Sequence, residues 1–269
     1  MNVEDCTLKY DNCIGCGICA VSCPFDAINM EVSENLHYEP VLNSSCKDCG
    51  VCTSYCPNAD WVLKKINSIV ANNPLYYGIE NAKGYLAWSK DQQSSESASG
   101  GIATEIVKKL FEKSFIEAVI HAKSVEAPFN QPHYLATLSL SAKDASRNRG
   151  SFYAPIDFSM VLKKIKESDI QKILIIGTPC VIRGIKNLIN NNRDFRINKI
   201  YTIALACSHN VNGMFQAYMA DSLKVDRNIK WGINMRDKTN QVNAINYSTS
   251  FTTGGGTSIK TKSLFFSVY

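Results

Sequence analysis

Apolar residues beyond the first quarter of the chain fall into two alternating periods. Residues 172–177 (Lys-Ile-Leu-Ile-Ile-Gly) form a continuous apolar run, the pattern of a strand covered on both faces. Directly after it, Val181, Ile182, Ile185, Leu188 and Ile189 recur at helical spacing, and Thr178 and Pro179 fit the N-cap and first helical position. The same alternation extends to both sides. Strands are predicted over 84–88, 116–122, 133–140 and 200–206. Helices are predicted over 102–113, with Ile102, Ile106, Leu110 and Phe111 on one face, over 158–167 and around 215–223. The segment 263–269 is apolar and strand-like. Strands and helices taken in turn predict an α/β domain.

The start of the chain reads differently. Only two short strands, 27–30 and 37–42, stand out, and they lie between two cysteine runs. Cys13, Cys16, Cys19 and Cys23 precede Pro24, and Cys46, Cys49, Cys52 and Cys56 precede Pro57, so both runs read C-x2-C-x2-C-x3-C-P. Each cysteine of the first run reappears 33 positions later, an internal repeat that implies two equivalent sites. Thiolates are the soft ligands that iron–sulfur clusters require, and three of them at intervals of three wrap a loop around one cube. The fourth cysteine starts a short helix and reaches the other cluster, as in two-cluster ferredoxins. This assigns Cys13, Cys16, Cys19 and Cys56 to cluster one, and Cys46, Cys49, Cys52 and Cys23 to cluster two. Gly15, Gly17 and Gly50 suit a loop that hugs a cluster. A pair of zinc ribbons is the alternative, but zinc sites seldom place four cysteines in so short a run with a trailing proline. Cys6 lies outside both runs and reads as an incidental thiol.

Length and composition set the frame. The 269 residues exceed the ~100–200 of a typical single domain, so two modules are expected. We expect a ferredoxin-type module over 1–66, a linker over 67–82 marked by Asn72, Asn73, Pro74 and Gly78, and an α/β domain over 83–269. The fold class is therefore α+β and α/β. Hydrophobic residues at 45% and charged residues at 20% exclude a disordered or fibrous chain. No apolar run approaches the ~18 residues of a membrane span, and no signal-peptide pattern is present, so a soluble cytoplasmic protein is expected. The eleven cysteines then serve a metal in a reducing compartment rather than a disulfide framework. Nothing resembles a nucleic-acid-binding motif. Charge is unevenly spread: residues 1–65 carry nine acids and four lysines, net −5, which leaves +10 on the remainder of a +5 chain. A basic body suits a phosphate- or carboxylate-bearing cofactor, although most of these lysines also read as ordinary solvated helix faces.

Three places in the body are candidates for chemistry. Ser94, Ser95, Ser97, Ser99, Gly100 and Gly101 precede a helix, where hydroxyls and backbone N–H groups can hold a phosphate; a Ser/Gly linker has the same composition. Cys180, in Gly177-Thr178-Pro179-Cys180, falls in the first turn of a helix at a strand's carboxyl end, which lowers a thiol pKa; buried packing is its alternative. Cys207-Ser208-His209 follows the next apolar strand. If those two strands are parallel neighbours, Cys180 and His209 open into one crevice. Arg236 and Lys238 could neutralise a cofactor anion, or form a solvated charge cluster.

In this order, the double cysteine motif, Ser97-Ala98-Ser99-Gly100-Gly101, Gly150-Ser151-Phe152-Tyr153-Ala154-Pro155, Gly177-Thr178-Pro179-Cys180, Cys207-Ser208-His209 and Arg236-Asp237-Lys238 resemble the coenzyme F-420 hydrogenase/dehydrogenase beta-subunit family. The resemblance spans essentially the whole chain. It implies a flavin-binding α/β domain, with FAD ahead of FMN, fused to the ferredoxin module. It further implies an oxidoreductase passing electrons between the clusters and a two-electron organic carrier such as coenzyme F-420. By that resemblance the flavin lies near Ser99, Gly100, Gly101, Tyr153, Thr178, Pro179, Cys180, Arg236 and Lys238, with Cys180 and His209 as catalytic candidates. Partners implied are a redox protein, such as ferredoxin or a hydrogenase/dehydrogenase subunit, and a small-molecule electron acceptor. Two departures stand out. Thr239, Asn240, Gln241 and Val242 occupy a place where the family usually has Gly-Trp, and family members usually continue beyond the position of Tyr269 with further cysteines, so a fragment truncated at the C-terminus, a degraded copy or a shortened branch is expected. Two other functions fit the same motifs: an electron-carrier subunit without its own catalysis, and a ferredoxin-dependent reductase in a biosynthetic pathway.

Overall fold

The structure is a computed structural model that describes residues 1–59, 83–90, 97–207, 210–237, 248–254 and 258–262. The expected linker 67–82 and strand 263–269 lie outside the described residues. The mixed fold has ferredoxin-type motifs first and an α/β domain after them.

The first part folds on its own repeat. Helix α1 (Val3–Cys6) is capped by Asn2, whose side chain accepts from Glu4 and Asp5 N–H groups. Helices α2 (Ile18–Ser22) and α3 (Val51–Tyr55) each follow a glycine in the left-handed region, Gly17 at φ 71° and Gly50 at φ 76°. These two glycines are 33 positions apart, like the cysteines. Strands β1 (Ile28–Val32) and β2 (Tyr38–Leu42) pair antiparallel with Ile28 opposite Leu42.

A four-stranded sheet organises the second part. It has the order β4-β3-β5-β6, built from β3 (Ala118–Ser124), β4 (Tyr134–Ser139), β5 (Lys172–Gly177) and β6 (Lys199–Ala204). β3, β5 and β6 are parallel, and β4 is antiparallel to β3. Two helices, α4 (Ile102–Glu112) and α5 (Ala142–Arg147), cover one face; α6 (Ser159–Lys166) and α7 (Pro179–Asn191) cover the other. The alternation of strand side chains decides which face each residue meets. Val119 and Leu174 pack with Val107 of α4, whereas Ala118, Ile120, Ile173 and Ile175 pack with Leu162, Ile165, Ile185 and Leu188.

Ile18, Val21 and Cys16 belong to that second cluster, so the ferredoxin-type module shares the core of the α/β domain. Polar ties reinforce the contact: Arg183 Nη2 donates to the Pro57 carbonyl at 2.6 Å, Asn187 to Ser54, and Tyr55 to the Asn191 carbonyl. Gly184 of α7 lies where a Cβ would collide with Ile18 and press on Pro57, so this helix needs glycine for close approach.

Beyond helix α8 (Gly213–Ser222), strands β7 (Trp231–Asp237), β8 (Ser248–Thr253) and β9 (Ser258–Lys262) form a third, antiparallel sheet. Trp231, Ile233, Met235 and Phe251 bury one face against Met219 and Ala220 of α8 and against Tyr134. Paired backbone hydrogen bonds between Ala127 and Trp231 join it to the segment that follows β3.

Three expectations need correction. Cys23 and Cys56 do not start short helices: each stands in extended backbone as the C-cap that ends α2 or α3. Residues 84–88 form no strand; Tyr85 and Leu86 are 82% and 92% exposed, and apolar alternation without a partner edge does not make a strand. Ile102 and Ile106 are also exposed, and α4 buries Val107 with Leu110 and Phe111 packed beside it.

Candidate functional site

Cys13, Cys16, Cys19 and Cys56 line one cavity, closed by Val3, Thr7, Ile18 and Met30. Three of these cysteines come from one run and the fourth from the other, across the two-fold repeat. Gly15 N–H donates to Cys13 Sγ at 3.4 Å, and Thr7 Oγ1 lies 3.5 Å from Cys56 Sγ. Burial pushes the Cys13 thiol up to about 11, with Cys56 adding to the rise, and raises Cys16 and Cys19 further. Burial therefore favours the neutral thiol at Cys13, Cys16 and Cys19, and iron would take all four cysteines as thiolates.

Cys52 sits in a second grouping. Burial raises its thiol to about 11, and Cys23 and Cys49 add to the effect. Ala27 N–H donates to Cys23 Sγ at 3.3 Å. Here too a cysteine of one run joins those of the other. Cys49 is exposed and Cys46 half-buried, so this grouping lies nearer solvent than the first.

The first grouping faces the α/β domain. Phe158 N–H donates to the Cys16 carbonyl at 3.1 Å, and Cys180 raises the Cys16 thiol after burial, Cys56 and Cys13. Thr178 and Pro179 start α7 as its N-cap and first residue; the Thr178 hydroxyl, however, makes no capping bond and lies 3.2 Å from Cys180 Sγ. β5 and β6 are parallel neighbours, with Gly177 opposite Ala204. Exposed Cys207, just past β6, therefore lies by Cys180, which raises its thiol together with burial. His209, Ser208 and Lys238 are outside the described residues.

A segment from Gly150 to Asp157 runs between α5 and α6. Tyr153 lies on it: its hydroxyl accepts from Arg236 Nη1 at 3.5 Å, and its carbonyl accepts from Gln216 at 3.4 Å. The segment ends at Asp157, which accepts from the N–H and hydroxyl of Ser159, both at 2.8 Å, and so fixes the start of α6 beside Gly17. Burial raises the Asp157 carboxyl above the ordinary range.

The Ser/Gly segment opens on a cavity of about 310 Å³ between α4 and α5, where Ser97, Gly101, Lys108, Lys143 and Arg149 stand around it. Ser99 is exposed, and the Gly100 carbonyl accepts from Ser89 N–H at 2.8 Å. Gly101, at φ 73°, is the N-cap of α4. Helix α4 returns directly into β3, so its N-terminus lies toward the carboxyl edge of the parallel strands, where ligands bind in open α/β sheets. Lys143 and Arg149 had no place in the sequence reading, although Lys143, Arg147 and Arg149 form a basic cluster that could have drawn notice.

Among the described residues no helix is long and apolar enough to cross a membrane.

Comparison with known proteins agrees with this layout. Residues 84–163 match the coenzyme F420 hydrogenase/dehydrogenase beta subunit N-terminal domain, and 170–253 match its C-terminal domain. Residues 7–29 and 43–62 each match a 4Fe-4S binding domain. An uncharacterized protein of Methanocaldococcus jannaschii is 24% identical over 77% of this chain and 62% of its own length. A chain of the F420-reducing [NiFe] hydrogenase complex from Methanosarcina barkeri aligns with 18% identity and a TM-score of 0.47, over 68% of this chain and 60% of that one. The chain thus spans about three-fifths of the length of these relatives. With both beta-subunit domains matched in order across more than half its length, and two 4Fe-4S motifs ahead of them, the chain belongs to the coenzyme F420 hydrogenase/dehydrogenase beta-subunit family.

Proposed function

We propose that this chain is an iron–sulfur flavoprotein that passes electrons between two 4Fe-4S clusters and, through a flavin, a two-electron organic acceptor such as coenzyme F-420. The observation that carries the reading is the position of Cys16: it lines the four-cysteine cavity, and its loop is bonded to Phe158 and lies by Cys180.

The donor sets fit iron–sulfur cubes. Cys13, Cys16, Cys19 and Cys56 hold cluster one, and Cys46, Cys49, Cys52 and Cys23 hold cluster two. Among the described residues no three His, Cys, Asp or Glu side chains gather as one metal ion needs. A cube instead spreads its thiolates over four irons. Exposed Cys49 supports a cluster two near solvent, within reach of a one-electron carrier such as a ferredoxin or a partner subunit. Cluster one is walled off by Val3, Ile18 and Met30 and leads inward.

The α4–α5 cavity fits the anionic end of a nucleotide. Lys108, Lys143 and Arg149 supply positive charge that outweighs the one carboxylate of the lining, Glu105, and Ser97 and Gly101 supply polar groups at the α4 N-terminus. Tyr153 with Arg236, and Thr178, Pro179 and Cys180 after β5, are the side chains that would orient the ring system. A flavin supplies the exchange between hydride and single-electron chemistry. The chain's own residues bind and orient it and keep cluster one behind apolar walls.

A charge-reversed pair, Lys143→Glu with Arg149→Glu, tests the assignment. Anaerobic titration of the purified protein with FAD should show binding at least tenfold weaker, with iron content unchanged. Unaltered FAD affinity would remove the cavity from the reading.

A further inference from the structure

We infer that Thr7 sets the reduction potential of cluster one, and thereby makes the two clusters unequal; this rests on the cluster assignment above. Thr7 is 1% exposed, and its Oγ1 lies 3.5 Å from Cys56 Sγ. In a free thiol either atom could donate. Bound to iron, Cys56 is a thiolate without a proton, so the hydroxyl is the donor and the sulfur the acceptor.

The position is rigid. Thr7 N–H donates to the Val3 carbonyl at 3.0 Å as the C-cap of α1, and its carbonyl accepts from Asn12 N–H at 3.0 Å and Tyr10 N–H at 3.3 Å. The side chain also forms part of the cavity wall beside the four cysteines. A hydrogen bond to a cluster sulfur stabilises the reduced, more negative state and raises the potential. Burial acts in the opposite sense, and three sulfur ligands of this grouping, Cys16, Cys19 and Cys56, belong to residues 7–8% exposed. The hydroxyl offsets that effect at the better buried cluster.

The internal repeat supplies the contrast. Counting 33 positions from Thr7 gives Pro40, whose side chain has no donor. At Cys23, the counterpart of Cys56, the donor is the Ala27 backbone N–H at 3.3 Å. Backbone donors at Cys13 and Cys23 persist through substitution; among the described residues the donor at Cys56 is the Thr7 side chain, which can be removed alone.

The test is an EPR-monitored redox titration of the full chain with Thr7→Val, Thr7→Ala and Thr7→Ser, iron being counted on each sample. Thr7→Val keeps the shape and lacks the hydroxyl. One of the two cluster potentials should move to more negative values while the other stays, with Thr7→Ser close to wild type. If Val disturbs assembly, Ala against Ser makes the same comparison. Unchanged potentials in the hydroxyl-free variants, or equal shifts of both clusters, overturn the role of Thr7. The wild-type iron count, about eight for two cubes, separately tests the assignment on which it rests.

Discussion

The Phe158 N–H donates to the Cys16 carbonyl across 3.1 Å, tying the residue ahead of α6 to a cysteine of the first run. Gly17, the next residue, lies against Asp157 and Ser159, so the contact admits no side chain at that place. The glycine 33 positions later makes a natural control. Gly50 has nearly the same backbone angles but only Met1 O, at 3.5 Å, and Thr53 Oγ1 near its missing Cβ.

Alanine at either glycine meets the same left-handed strain, of about 1–3 kcal/mol. Gly17→Ala must also displace Asp157 and Ser159. Anaerobic urea unfolding should therefore show a larger loss for Gly17→Ala than for Gly50→Ala, by roughly 1 kcal/mol or more. Equal losses would mean that the module does not press on the α6 start as described.

Crossed ligation predicts which double variants share a cluster. Cys13→Ser with Cys56→Ser removes two ligands of one cube, so about four irons should remain. Cys13→Ser with Cys23→Ser removes one ligand from each, and both clusters should weaken. If instead Cys13 and Cys23 behave as the pair that shares a cube, each run holds its own cluster and the assignment fails.

His133 makes stability depend on pH. It is 3% exposed, its Nδ1 lies 2.8 Å from the Trp231 carbonyl, and its ring stacks on Trp231 at 3.6 Å. Burial holds its pKa down to about 4, against an ordinary value near 6.5. Above pH ~6.5 neither folded nor unfolded chain binds the proton, and the group contributes nothing. As pH falls from ~6.5 to about 4 the unfolded chain gains a proton that the folded one refuses, so stability declines, by up to about 3 kcal/mol. The urea midpoint should fall over that window, and His133→Gln should flatten the decline even if it lowers stability throughout. A decline of the same steepness in the variant would assign it to other groups.

Much of the architecture was legible because one constraint dominated each part. Cysteine spacing marked two repeated sites, and the unbroken run at 172–177 with Thr178 and Pro179 marked β5 and the start of α7 to the residue. The third sheet was missed. Its β8 reads Ser-Thr-Ser-Phe-Thr-Thr, whose buried residues include Thr249 and Ser250, so hydrophobic alternation is nearly silent there. Residues 84–88 erred the other way, with an apolar pattern and, among the described residues, no strand to pair with. The positions of Thr178 and Cys180 at the start of α7 followed from strand-to-helix logic. Lys143, Arg149 and Thr7 enter the proposals through contacts made across the fold, which no local spacing reports.

The central claim is that clusters and flavin share this chain. The most direct measurement is iron, acid-labile sulfide and extracted flavin determined on one anaerobically purified sample, with its visible spectrum. The account predicts about eight irons, about eight sulfides and about one flavin per chain. About eight irons with no flavin, even after incubation with FAD and FMN, would contradict it and leave an electron carrier without the organic half of the reaction.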